Sequence, residues 1–323
     1  MHLTIIIPHY NLPRPLLERC LESVRRQNLT SEELQVLIID DESVNPPLWV
    51  TTEYPDFQLI CAKHGGLGSV RNIGMSKAIG DYLLFLDSDD FLEPESLKKC
   101  LQVVKQYTPD ILRFNWRRTD NQESGGCSSE KEYPCGAAYM AKNNLSGMAC
   151  SYLLRNDVIK RHNITFQTNV YHEDEEFTTR LHFHAGKLID SNILVYNYYI
   201  RPDSITQDSD KGKREKRYRD ILSMLRRIKS FRDENYSSAT PIQRLGIDRK
   251  LAFLAVDTII NTIRLKEDWK ELLDVCHITL SDMGLYPLPA GNYSFKYKLF
   301  RLLCKTNIGL RCLYYTQKRL PQR

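Results

Sequence analysis

Residues 82–90 read Tyr82-Leu83-Leu84-Phe85-Leu86-Asp87-Ser88-Asp89-Asp90. An unbroken apolar run, too short for a buried helix and closed by a burst of carboxylates, predicts a strand covered on both faces whose C-terminal end meets polar surroundings. Three similar runs precede it. Leu3–Ile7 closes on Pro8-His9-Tyr10-Asn11, Val36–Ile39 on Asp40-Asp41-Glu42-Ser43, and Gln58–Cys61 leads to a glycine-rich turn. Between them Leu16, Leu17, Cys20, Leu21 and Val24 recur at helical spacing behind Pro13 and Pro15, and a second helix is predicted from about Ser69 to Ile79. Past residue 90, Pro94 stands in the first turn of a helix carrying Leu97, Cys100, Leu101 and Val104, and Ile111–Phe114 reads as another strand. Strands alternating with helices predict an α/β fold with a doubly wound, mostly parallel sheet.

Beyond this unit the pattern changes. Residues 117–134 are polar and rich in Gly and Ser, predicting a long surface loop that could act as a lid. A polar break at 201–213 precedes one charged helix, with Ile221, Leu222, Leu225 and Ile228, and one more apolar helix, with Leu251, Leu254, Ala255, Ile259 and Ile263. The boundary is placed there, giving a first domain of 1–205 and a C-terminal helical region of 206–323.

The nine cysteines are scattered without CxxC spacing, and no signal peptide precedes the first strand, so a reduced cytoplasmic compartment is expected. Apolar runs such as Tyr82–Leu86 fall far short of the ~20 residues that cross a bilayer. Charge is uneven. From Phe295 onward stand Lys296, Lys298, Arg301, Lys305, Arg311, Lys318, Arg319 and Arg323 with no acid, and removing those eight from the net +5 leaves the rest at −3. Interleaved apolar residues suit either a basic amphipathic helix on anionic lipid at the inner face of a membrane or a packed helix with a solvated face. Basic residues outside the tail cluster at 211–219, away from the strand ends, so nucleic acid is not the expected partner.

In an open parallel sheet, ligands bind outside the carboxyl ends of the strands. Acids closing two strands of one sheet repel one another unless a cation or donors offset them; helix or turn capping accounts for one such acid but poorly for two clusters. Hard oxygen ligands select Mg²⁺ or Mn²⁺, whose open positions suit substrate phosphates. The turn His64-Gly65-Gly66-Leu67-Gly68-Ser69 leads into a helix bearing Arg71 and Asn72, offering amides and a guanidinium to an anion. It has neither the GxGxxG nor the P-loop lysine pattern. A second acidic cluster, His172-Glu173-Asp174-Glu175-Glu176, opens another helix, where acids also simply favour the dipole.

Taken in order, IIIPHYN, IIDDES, GGLGSVRNIGMSKAIGDYLLFLDSDDFLEP and HEDEEFTTRL resemble the family-2 glycosyltransferases of the GT-A, Rossmann-like fold, over about residues 1–205. The resemblance implies that Pro8, Tyr10 and Asn11 line a nucleotide pocket while Asp41, with Asp40 as a second candidate, reads the base, usually uracil. It implies that Arg71 lies near base and ribose, that Asp87, beside Ser88, lies near ribose and metal, and that Asp89 binds the cation bridging the diphosphate. Asp174 matches the catalytic base, next to Glu173, and Arg201 and Ser204 resemble a loop that closes over the diphosphate. Two positions depart from the family pattern: Glu42 stands where glycine is common, and Val70 where alanine is frequent.

The expected activity is inverting, metal-dependent transfer of a sugar, from a UDP-sugar donor, to a hydroxyl of a glycan or lipid-linked saccharide, as in surface polysaccharide synthesis. Two alternatives stay open on the residues: a phosphohydrolase using Asp87-Ser88-Asp89, and a nucleotide- or glycan-binding module without catalysis.

Overall fold

The structure is a computed structural model and describes residues 2–119, 130–201, 210–266, 268–291 and 293–319. The chain divides into two compact units, 1–136 with 147–207, and 137–146 with 208–323.

In the first unit, β1 (Leu3–His9) is buried along its whole length and lies between β2 (Leu34–Asp40) and β4 (Tyr82–Phe85), parallel to both. β3 (Gln58–Cys61) extends the parallel set beyond β2. Register places His9 opposite Asp40 and Ile6 opposite Phe85, so the polar segments after β1, β2 and β4 emerge at one edge of the sheet. The crossover between β3 and β4 is α3 (Gly66–Lys77), and α1 (Arg14–Arg25) buries Leu17, Cys20, Leu21 and Val24, the stripe expected from spacing.

The nine-stranded sheet runs β3-β2-β1-β4-β8-β6-β9-β5, with β7 (Lys131–Tyr133) on β9. Here the sheet is mixed: β8 (Tyr152–Arg155) is antiparallel to β4 and β6 (Ile111–Arg118), and β9 (Leu188–Tyr198) is parallel to β6 but antiparallel to β5 (Phe91–Leu92). The α/β class with a C-terminal helical region is as expected, while the parallel pairing concentrates in β1–β4. A buried apolar run reports burial on two faces and carries no sign of strand direction. The stretch read as a lid is strand at both ends, in β6 and β7; its centre, 120–129, lies outside the described residues, as does Ser204.

The second unit packs α8 (Lys211–Asn235) with α9 (Pro241–Lys266), burying Ile221, Leu225 and Ile228 together with Leu251, Leu254, Ala255, Ile259 and Ile263. Residues 137–146 join this unit across a long stretch of sequence. Arg249 donates to Asn144 Oδ1 at 2.7 Å and Lys250 Nζ to the carbonyl of Leu145 at 2.9 Å, tying the segment to α9 through two buried cations. Periodicity gave no hint of that link, and the boundary read at 205 left the segment in the first domain. Among the described residues no helix is long and apolar enough to cross a membrane.

Candidate active site

One side of the site is a set of turns stitched by short hydrogen bonds. Asp41 follows β2, and its Oδ1 accepts the Gly65 N–H at 2.8 Å while Oδ2 accepts the Gly66 N–H at 3.0 Å. These amides lie at the start of α3, where unsatisfied donors and the helix dipole favour a carboxylate. His64 Nδ1 stands 2.9 Å from Asp41 Oδ2, and the His64 ring packs on exposed Tyr10 with centroids 4.9 Å apart. Gly66 sits at φ 77°, open to glycine at no steric cost, and at Gly68 a Cβ would stand 2.0 Å from the carbonyl oxygen of Gln167. Glycine is therefore favoured at 66 and required at 68.

Asp40 is fully buried; its Oδ2 accepts the Ser43 N–H at 3.0 Å and its Oδ1 is 3.9 Å from His9 Nε2. Burial holds the His9 imidazole below its usual value, against the opposing pull of Asp40. Asp40 thus fastens a turn from inside. Asn11, at φ 47°, donates its N–H to Ser43 Oγ at 2.8 Å and accepts the Val44 N–H at 2.8 Å, joining the ends of β1 and β2. Pro8 is buried in β1, paired with Ile39. Glu42 adopts φ 60°, which is the physical reason a glycine would suit that place; its Oε2 accepts the His64 N–H at 3.1 Å.

The other side is built from charge. Arg71 is buried on α3; its Nη2 reaches Asp87 Oδ1 at 2.9 Å and its Nη1 reaches Glu173 Oε1 at 3.0 Å. Burial would lower its pKa, but Asp87, Glu173 and Asp174 together raise it above the ordinary guanidinium value. The guanidinium lies 5.3 Å from the Phe166 ring and 5.8 Å from that of Phe85. Phe166 stacks on Phe177 at 3.9 Å, and Phe85 meets both edge-on, so an aromatic cluster fixes α7 (Glu173–His184) against β4. His172, at φ 64°, turns the chain into α7 and sets Glu173 and Asp174 in its first turn.

Burial, then Glu173, pushes the Asp174 carboxyl up to about 8, with Arg71 opposing. Glu173 is raised as well, chiefly by burial. Asp89 is raised by burial and by Asp87, although Arg201 Nε stands 2.8 Å from its Oδ2. Asp90 is pushed up to about 8 by burial, Asp87 and Asp89; it accepts the Tyr196 hydroxyl and, at 2.7 Å, the Tyr199 N–H. Ser88 is buried between the acids. The Asp41 and Asp87 clusters meet through one helix: Asp41 caps the start of α3 and Arg71, one turn on, holds Asp87.

Two contributors were not singled out from sequence. Arg19 donates to the Asp89 carbonyl at 2.6 Å and lies 4.0 Å from the Tyr199 ring; Tyr196 holds Asp90 and receives the Asp87 N–H at 3.3 Å. Both come from distant elements, and no spacing rule links them to the acids.

Residues 4–148 match the family described as Glycosyl transferase family 2. That region is thus a glycosyltransferase family 2 region. The chain is 28% identical to EpsH of Bacillus subtilis over 64% of its own length and 63% of that protein. It is 24% identical to the poly(ribitol-phosphate) beta-glucosyltransferase of Bacillus spizizenii over 97% of its length, spanning 50% of that enzyme. The crystal structure of Staphylococcus aureus TarS 1–349 in complex with UDP-GlcNAc superposes with a TM-score of 0.68 at 18% identity, covering 99% of this chain and 90% of that one. TarS is named as a poly(ribitol-phosphate) beta-N-acetylglucosaminyltransferase. The chain thus spans only part of the length of these curated relatives, and its GT-A fold is shared with TarS.

Proposed function

We propose that the chain moves a sugar from a nucleotide-diphosphate donor, a UDP-sugar, to a hydroxyl of a glycan or lipid-linked saccharide, with inversion at the anomeric carbon. One observation carries the reading: Arg71 bridges Asp87 at a strand end to Glu173, next to Asp174, so a donor-side acid and a raised carboxylate belong to one constellation. The family-2 match over residues 4–148 and the UDP-GlcNAc complex of a fold relative support it.

In this reading Tyr10, Asn11 and the Asp41–Gly66 turn form the base side of the donor pocket, with Asp41 reading the base through the lone pairs its amide bonds leave over. Asp174 takes the proton of the acceptor hydroxyl, and a carboxylate with its affinity raised toward neutrality is suited to that work. The acceptor oxygen then forms its bond to the anomeric carbon as the bond to the nucleotide diphosphate breaks. Glu173 and Arg71 hold the first turn of α7 so that Asp174 keeps its place.

Asp89 and Asp87 would hold Mn²⁺ or Mg²⁺, which when bound supplies positive charge to the leaving diphosphate. The donor set fits: Asp89 and Asp87 are neighbouring carboxylates that raise proton affinity at Asp89, and a cation relieves that repulsion. Among the described residues no three His, Cys, Asp or Glu side chains gather into a complete cage. Arg201, 2.8 Å from Asp89, would serve on the diphosphate side.

The test is turnover of a panel of nucleotide sugars with Mn²⁺ or EDTA, with the anomeric configuration of the product read by NMR. Product formed with retention, or release of phosphate from simple esters without any nucleotide sugar, would falsify this reading; the latter would restore the phosphohydrolase. Nucleotide binding without any turnover would leave a binding module.

A further inference from the structure

The last two helices of the second unit each carry two apolar faces. In α11 (Phe295–Cys304) Tyr297 and Cys304 are buried, whereas Phe295, Leu299 and Leu302 are 82%, 49% and 62% exposed. At about 100° per residue, these i, i+4 and i+7 positions form one narrow stripe on the side opposite Tyr297 and Cys304. Exposed Lys296 and Lys298 flank it, one on each side. Helix α12 (Asn307–Arg319) repeats the pattern. Leu310, Leu313 and Tyr314 are buried, while Ile308, Cys312 and Tyr315 follow the same spacing outward, Ile308 at 78% and Tyr315 at 61% exposure, beside exposed Arg311.

A packed helix with an ordinary solvated face accounts for the inner residues alone. It leaves a phenylalanine, two leucines, an isoleucine and a tyrosine in water at helical register, where Lys and Glu would be expected. The charge selects the partner: residues 295–323 hold eight Lys and Arg and no acid, so the complementary surface is extended and anionic. An anionic lipid surface meets both demands, taking apolar side chains at the acyl boundary while the flanking cations meet headgroup phosphates.

We propose that the outward stripes of α11 and α12 dock this chain on a membrane surface rich in anionic lipid, independently of the transfer reaction. The inward faces pack the helices; the outward faces bind.

The full chain is sedimented with phosphatidylcholine vesicles with or without roughly 30 mol% phosphatidylglycerol, at low and high salt. Binding to the anionic vesicles, weakened by salt and poor on phosphatidylcholine alone, is expected. Leu299→Ser with Leu302→Ser, and separately Lys296→Glu with Lys298→Glu, each lower the partition coefficient by about tenfold or more, with melting temperature unchanged. Equal partition of wild type and both double variants overturns the proposal. So does a concentration-dependent dimer that either double variant disperses, because a second copy would then occupy the stripe. A readout free of substitutions is amide exchange over 295–304: slowing by anionic vesicles supports the proposal, and no slowing overturns it.

Discussion

The acids after β2 and the acids after β4 lie at one edge of the same sheet, yet they are held by opposite means. Asp40 and Asp41 accept backbone N–H groups from Ser43, Gly65 and Gly66, so their charge is absorbed by fixed dipoles of the fold. Asp87 and Asp89 face arginines, and burial together with their mutual repulsion raises the proton affinity of Asp89 and Asp90. The first set is finished by folding. The second is balanced by charged side chains instead of backbone amides.

The comparison breaks most visibly at Asp174, which belongs with the raised set. Asp174→Asn should cut kcat/KM by roughly a thousandfold while leaving nucleotide binding intact, as measured by initial rates and thermal shift. In the parent enzyme kcat/KM should climb as pH rises through about 8, because the base must lose its proton to act. The stability sign is the reverse. A carboxyl whose folded pKa exceeds its unfolded value costs stability once ionised, a cost that grows from about pH 4 and is full above pH 8. Asp174→Asn should therefore leave the melting temperature unchanged near pH 4 and raise it by about 3 °C at pH 9.

Next is Arg71→Ala, which strands Asp87 and Glu173 without their shared partner; about 3 kcal/mol of unfolding free energy should be lost in urea titrations near neutral pH. Gly68→Ala drives a methyl into the Gln167 carbonyl and should cost about 2 kcal/mol by the same measurement. For the cation, UDP with Mn²⁺ should stabilise the chain by about 2 kcal/mol more than UDP with EDTA, and Asp89→Ala should erase that increment. Asp40→Asn, within the finished set, should not touch the increment. Smallest is Glu42→Gly, which trades relief at φ 60° against a lost bond to the His64 amide; a shift of less than about 0.5 kcal/mol is expected, and a larger one would mean this turn bears more strain than its geometry indicates.

Much of this was legible in the sequence because strand ends announce themselves. Apolar runs located β1, β2, β3 and β4, and the polar residues closing three of them are the ones that meet around α3. The HGGLGS turn was legible as glycine-rich but not as crowded; only coordinates bring Gln167 against Gly68. Strand direction beyond β4 was hidden, since β8 and β9 have the same apolar character whichever way they run. The capture of 137–146 by the second unit, and the help that Arg19 and Tyr196 give the acids, rest on pairings across long stretches of chain. Local spacing cannot encode those, because the partner's distance along the chain is set by topology.

The close approach at Gly68 reaches further than its own stability cost. With bare backbone pressed against the Gln167 carbonyl, and the Asn72 side chain bonded to both backbone groups of Phe166, α3 and the segment leading to Asp174 are tied into one slab. Under the proposed sugar transfer, a slab of that kind would keep the floor of the site constant whichever sugar rests on it. Evolution of new donor or acceptor preferences then has to work on the rim, where loops can be lengthened or exchanged without disturbing the alignment underneath.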